Sequence, residues 1–274
     1  MPNIDELKEM ARKIRVDVID SVYAAKSGHP GGSLSAAEII AALYFYKLRV
    51  NPKNPEWEDR DRFILSKGHA APALYSALAR KGFFPISDLK RFRQVDSHLQ
   101  GAPNMKTPGV DMSSGPLGQG LSAAVGMALG ARYLGKDFRT YCMMGDGEIQ
   151  EGQIWEAAMA ADKFKLANLI GILDYNKVQM SGTNEELMPL GDVVKKFEAF
   201  GWKVLRIDGN DMRQAVDALD ATDGRIGLNG PAVIIADTIK GKGISYMEGL
   251  AAWHGGVPSD EQYKQAMKEL GVEA

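Results

Sequence analysis

The side chains in this sequence best suited to hold a hard cation are an aspartate between two glycines, Gly145-Asp146-Gly147, and Asn176, about thirty residues further on. Taken alone, Gly-Asp-Gly makes an equally good turn. The second oxygen ligand changes the balance. Each residue follows a short β-rich run, so in a parallel sheet both side chains would face one ion from the ends of successive strands. Magnesium takes such ligands in octahedral geometry and completes its shell with phosphate oxygens and water. The glycines beside Asp146 let backbone N–H groups approach a phosphate with no Cβ in the way. Four histidines accompany the pair. A single histidine is more often a core or surface imidazole with a satisfied N–H. Here His29, His69 and His254 all lie in glycine-flanked loops, a placement that favours a shared site, whereas His98 lacks that setting and reads as structural. Nucleotide signatures are absent: there is no Gly-x4-Gly-Lys-Ser/Thr, and Gly115-Pro116-Leu117-Gly118-Gln119-Gly120 is not a dinucleotide fingerprint.

The elements that must position these residues alternate along the chain. Residues 4–25 form an amphipathic helix capped by Asn3, with Ile14, Val18 and Val22 at helical spacing. Ser27-Gly28-His29-Pro30-Gly31-Gly32 breaks it, and Ser35 restarts a helix through Leu48. Strand runs are expected at 63–65, 140–143, 169–173, 203–207 and 232–236. Between most of them lie helical patterns at 70–81, 117–134, 154–164, 193–200 and 212–221, and a last helix covers 260–270. Strands apolar on both faces and alternating with helices predict an α/β fold, a doubly wound, mostly parallel sheet flanked by helices. Ligands of such sheets bind beyond the carboxyl ends of the strands, where Ser66-Lys67-Gly68-His69 and Gly145-Asp146-Gly147 fall.

Composition narrows the class. At 274 residues, with 45% apolar and 25% charged side chains, the chain fits one large domain, 1–274. A formal net charge of −2 argues against a nucleic-acid partner, and no apolar run approaches membrane-spanning length. One cysteine, Cys142, excludes an intrachain disulfide; with no signal-like segment after Met1, a cytoplasmic protein is expected. Thirty glycines, clustered in loops, suggest backbone approach to a ligand.

Gly145-Asp146-Gly147 and Asn176 at that spacing resemble the thiamine diphosphate fingerprint. Ser27 to Gly32, Ser66 to Ala70, Ser114 to Gly120 and Gly147-Glu148-Ile149-Gln150-Glu151-Gly152 follow in the order seen in transketolases, from the first helix to His254. The resemblance implies a diphosphate-binding (PP) domain holding thiamine diphosphate through Mg2+, with Ca2+ as an alternative ion. Asp146, Asn176 and the main-chain carbonyl of Val178 match the metal ligands. His69, His254, Asn176 and the Gly147 backbone match groups around the diphosphate, and Gly115 and Leu117 the segment against the cofactor rings. His29 matches a substrate-side proton shuttle that acts with His254. Glu151 matches an interface carboxylate grouped with the catalytic residues, and Glu156 one that links the two active sites. The reaction implied is transfer of a two-carbon ketol unit from a ketose phosphate to an aldose phosphate, as in pentose phosphate metabolism.

Two departures stand out. The family usually reads Gly-His-Pro where this chain has Gly101-Ala102-Pro103, and that histidine contacts the donor sugar. Either His98 substitutes from nearby, or the substrate differs, or activity is reduced. The chain is also shorter than a full transketolase, and its polar C-terminal tail reads as a true end. The pyrimidine-binding domain, with its glutamate opposite the aminopyrimidine, and the C-terminal domain are therefore expected on a partner chain, in an α2β2 heterotetramer. The alternatives are another thiamine class, such as a 2-oxo acid dehydrogenase E1 or a 1-deoxyxylulose-5-phosphate synthase, or a non-catalytic cofactor-binding module.

Overall fold

The computed structural model describes residues 2–223 and 229–272. In chain order it contains α1 (Ile4–Ala25), α2 (Pro30–Ser35), α3 (Ala37–Ala42), β1 (Arg62–Leu65), α4 (Ala71–Lys81), α5 (Gln119–Tyr133), β2 (Thr140–Gly145) and α6 (Gly152–Lys163). There follow β3 (Leu169–Tyr175), α7 (Asn184–Leu187), α8 (Val193–Ala199), β4 (Lys203–Asp208), α9 (Met212–Ala221), β5 (Ala232–Asp237) and α10 (Asp260–Glu269). The five strands are all parallel in the order β1-β2-β3-β5-β4. The alternation predicted from sequence is present, and each expected strand lies inside the observed one.

Strand periodicity divides the interior into two cores. Phe63, Leu65, Tyr141, Met143, Ile170 and Ile172 point to one face, where α1, α3, α4 and α9 pack. Ile64, Cys142, Met144, Leu169 and Leu173 point to the other, under α5, α6 and α8. One expectation fails at the margin. The pattern predicts β4 apolar on both faces, yet none of its residues is buried in this edge strand, which pairs only with β5. Among the described residues no helix is long and apolar enough to cross a membrane.

A second difference lies beside the site. The first helix does end at Ala25, as expected, but Pro30-Gly31-Gly32 already opens α2, and the helix expected over 35–48 is instead α3 followed by a π-turn at Leu43–Lys47. Proline fits the first helical turn, whose N–H groups have no intrahelical partner. The glycine cost is accepted for closeness: a Cβ on Gly31 would lie 2.7 Å from the Trp253 carbonyl, and one on Gly32 3.4 Å from His69 Nε2. Those two glycines let α2 press against the loops carrying His69 and His254.

Candidate functional site

The carboxyl ends of β1, β2, β3 and β5 open on a cavity of about 310 Å3. Asp146 leaves β2 and Asn176 leaves β3, and both line it together with Val178. Asp146 is buried. Its Oδ1 accepts from Gly147 N at 2.8 Å, and its Oδ2 accepts from Lys177 N and, at 3.0 Å, from Asn184 Nδ2. Burial, reinforced by the nearby Asp174 charge, raises the Asp146 pKa. Asn176 Oδ1 accepts from Val178 N at 3.1 Å. This loop turns through Lys177, whose φ of 67° is left-handed.

These three residues fit a hard cation. Each supplies an oxygen that keeps a lone pair free after its protein hydrogen bonds are counted. A positive charge already stands there: Lys240 Nζ donates to the Val178 carbonyl at 2.6 Å. Among the described residues no group of three or more His, Cys, Asp or Glu side chains is arranged for a metal. The set that converges combines one carboxylate, one amide and one carbonyl, which suits magnesium with phosphate and water completing the shell.

The three glycine-flanked histidines do meet. His69 and His254 stack at 4.9 Å, and His29 stands edge-on to each at 5.5 Å. His69 and His254 line the cavity, and His29 is the outer member. Burial, then neighbouring positive charge, lowers the pKa of His69 to about 2 and of His254 to about 3; burial, then Arg93, lowers that of His29. All three rings are therefore neutral near pH 7. Lys240, lowered to about 8 chiefly by burial, approaches His254 Nδ1 at 2.9 Å. The ammonium can only donate, so His254 accepts at Nδ1 and carries its proton on Nε2. His98 is not among the residues lining the cavity; it lies 3.3 Å from Asp88 and edge-on to Phe84 at 4.9 Å.

The other anticipated residues are distributed around this centre. Gly147 lines the cavity, and its N–H is turned onto Asp146. Leu117 and Glu151 lie exposed on the rim. Gly115 is outside the lining; a Cβ there would touch only Ala102, at 3.5 Å. Glu156 faces solvent on α6, outside the cavity.

Four important side chains are given no role by the motifs, although Lys67 and Glu148 lie inside two of them. Lys240 is one. Glu148, buried behind the loop, accepts from Ser66 Oγ, from Gly118 N at 2.9 Å and from Gly145 N at 3.0 Å, tying three glycine-rich segments together. Asp174 accepts from Lys67 Nζ, Thr238 Oγ1, Ser35 Oγ at 2.6 Å and Asn176 Nδ2 at 3.3 Å. Burial pushes its carboxyl up, but the Lys67 ammonium and these donors outweigh that and hold it below the ordinary range. Lys67 also reaches the Gly32 carbonyl at 2.7 Å. The one available clue is charge in otherwise apolar strand ends: Asp174 closes a run that is buried throughout.

Comparison with known proteins points to one family. The family model described as transketolase, thiamine diphosphate binding domain, matches residues 6–274. One of the subunits of the apulose-4-phosphate transketolase of Phocaeicola vulgatus is 43% identical over 270 residues, covering 97% of this chain and 94% of that protein. A 6-deoxy-6-sulfo-D-fructose transketolase subunit of Clostridium sp. is 44% identical, covering 98% and 97%. The crystal structure of transketolase from Campylobacter jejuni superposes with a TM-score of 0.93 at 38% identity; it covers 99% of this chain, which spans only 44% of that one.

Proposed function

The chain belongs to the transketolase family through its thiamine diphosphate binding domain, and on that premise we propose that it is the diphosphate-holding subunit of a two-chain, Mg2+-dependent transketolase. A second polypeptide would supply the pyrimidine-binding and C-terminal domains in an α2β2 cytoplasmic enzyme. Two relatives named as subunits match over nearly their whole length, whereas the Campylobacter chain is more than twice as long, and this supports the two-chain reading. The observation that carries the proposal is the meeting of Asp146, Asn176 and the Val178 carbonyl in one cavity with His69 and His254.

The making and breaking of a carbon–carbon bond, with passage of a two-carbon ketol unit, is the chemistry the cofactor supplies when bound. The chain's own residues bind and orient. Asp146, Asn176 and Val178 would hold the magnesium ion, and Lys240 and His69 would face diphosphate oxygens as cation and neutral donor. Leu117 would lie against the cofactor rings near Gly115. His254, with its proton on Nε2, would donate toward a substrate oxygen, while neutral His29 would accept or return a proton there. Glu151 on the rim and Glu156 beyond it would face neighbouring subunits.

Co-expression with a partner carrying the pyrimidine-binding domain, then assay over ketose phosphate donors and aldose phosphate acceptors, tests this. Magnesium-dependent two-carbon transfer by the pair, and none by the chain alone, is expected. Turnover of pyruvate without two-carbon transfer would instead assign the chain to another thiamine class.

A further inference from the structure

Asp174 does not line the cavity, yet its carboxylate stands directly behind a residue that does. Asn176 Nδ2 donates to Asp174 Oδ2 at 3.3 Å, while Asn176 Oδ1 accepts from Val178 N at 3.1 Å. The side-chain amide of Asn176 is thus held at both ends. That matters because its two ends have nearly the same shape and opposite character. Only the oxygen can ligate a hard cation. Turned over, the amide would set its own N–H groups against the Val178 N–H and its oxygen against a carboxylate. Two repulsive contacts would replace two favourable ones.

The two holds differ in kind. The Val178 contact is local and neutral, whereas the Asp174 contact is made to a charge, which strengthens a hydrogen bond about twofold. Asp174 itself cannot turn away. Its Oδ2 also accepts from Lys67 Nζ and, at 2.6 Å, from Ser35 Oγ, and its Oδ1 accepts from Thr238 Oγ1. These donors come from the loop after β1, the end of α2 and the loop after β5. The Lys67 and Asp174 side chains are 2% and 1% exposed, so water does not screen the contact. A buried ion pair is weak ground for stability, since well-packed apolar side chains often serve as well. Orienting a neighbouring amide is a task that apolar side chains cannot perform.

We infer that Asp174, locked by Lys67, is a positioning residue that turns the Asn176 amide so that its oxygen, and not its nitrogen, faces the magnesium ion. The inference rests on the proposed metal set of Asp146, Asn176 and Val178. Asp174 touches neither the ion nor the cofactor; it acts through Asn176 alone.

The test removes the pair as a unit, in Lys67→Met/Asp174→Leu, which leaves the net charge unchanged. Calorimetry of Mg2+ with thiamine diphosphate on the full chain should show affinity lowered about tenfold or more, with Asp174→Asn, which keeps the shape, losing less. The same replacement is then made in an Asn176→Asp background. A carboxylate presents an oxygen whichever way it turns, and removing Asp174 there also relieves like-charge repulsion, so affinity should hold or rise. An equal fall in both backgrounds would place the effect in the fold and overturn the inference, as would no fall with Asn176 present. Independently, in the chain without metal or cofactor, the Asn176 side-chain N–H groups should exchange with water more slowly in wild type than in either variant. If wild type binds no Mg2+ and thiamine diphosphate, the metal reading fails while this exchange still decides the role of Asp174: equal rates in wild type and Asp174→Asn would refute it.

Discussion

At the scale of single residues, two buried carboxylates do different work. Asp146 accepts from two backbone N–H groups and Asn184 while keeping oxygen toward the cavity. Asp146→Ala should abolish magnesium-dependent cofactor binding in calorimetry while the chain still folds, with roughly 1–3 kcal/mol lost from the donors left unpaired. Undiminished affinity would remove Asp146 from the metal set. Asp174 instead neutralises Lys67 in the interior, where both side chains are almost wholly buried. Asp174→Ala strands that ammonium and should cost about 3–5 kcal/mol in denaturant unfolding; adding Lys67→Met should recover much of it. A double variant no more stable than the single one would show that the pair contributes nothing through charge. Asp146 is legible from its glycines. Asp174, three residues before Lys177 and equally acidic, carries no motif, because its four donors come from four separate segments.

At the scale of elements, the site is held by close approaches that glycine permits. The start of α5 shows this best. A Cβ on Gly120 would collide with the Ser66 hydroxyl and lie 2.9 Å from Ser66 Cα, and that hydroxyl donates to Glu148. In an ordinary helix Gly→Ala stabilises by about 1 kcal/mol. Here Gly120→Ala should do the reverse, destabilising by roughly 1–3 kcal/mol by overpacking and weakening cofactor affinity, since Ser66 cannot swing its own Cα away. A rise in melting temperature would contradict this reading. Helices and strands themselves are readable to within a few residues. The exception is α2: Pro-Gly-Gly signals a break when read locally, and only packing against Trp253 and His69 makes a helix of it.

At the scale of the molecule, three neutral histidines at one end of the sheet make the fold sensitive to acid. Their folded pKa values lie below the ordinary 6.5, so below about pH 6.5 the unfolded chain binds more protons than the folded one. Stability is then complete above that pH and falls as pH drops toward the folded values, near 2 for His69 and 3 for His254. Thermal melts of the chain without cofactor should show a falling midpoint from pH 7 to 5, with a shallower slope in His69→Gln. Equal slopes in the two proteins would mean that His69 does not titrate differently on folding.

The sequence by itself determined the parallel α/β architecture, because each strand carries its own continuous apolar run and each helix its own periodicity, both local signals. It also determined the metal-ligand candidates and the three site histidines, because their glycine neighbours sit beside them in the chain. The family followed from those same motifs in order. Only the tertiary structure decided that Lys240 shares the cavity and that Glu148 and Asp174 knit the loops. Each of these depends on partners tens of residues away, and a long-range contact leaves no pattern in any one stretch of chain.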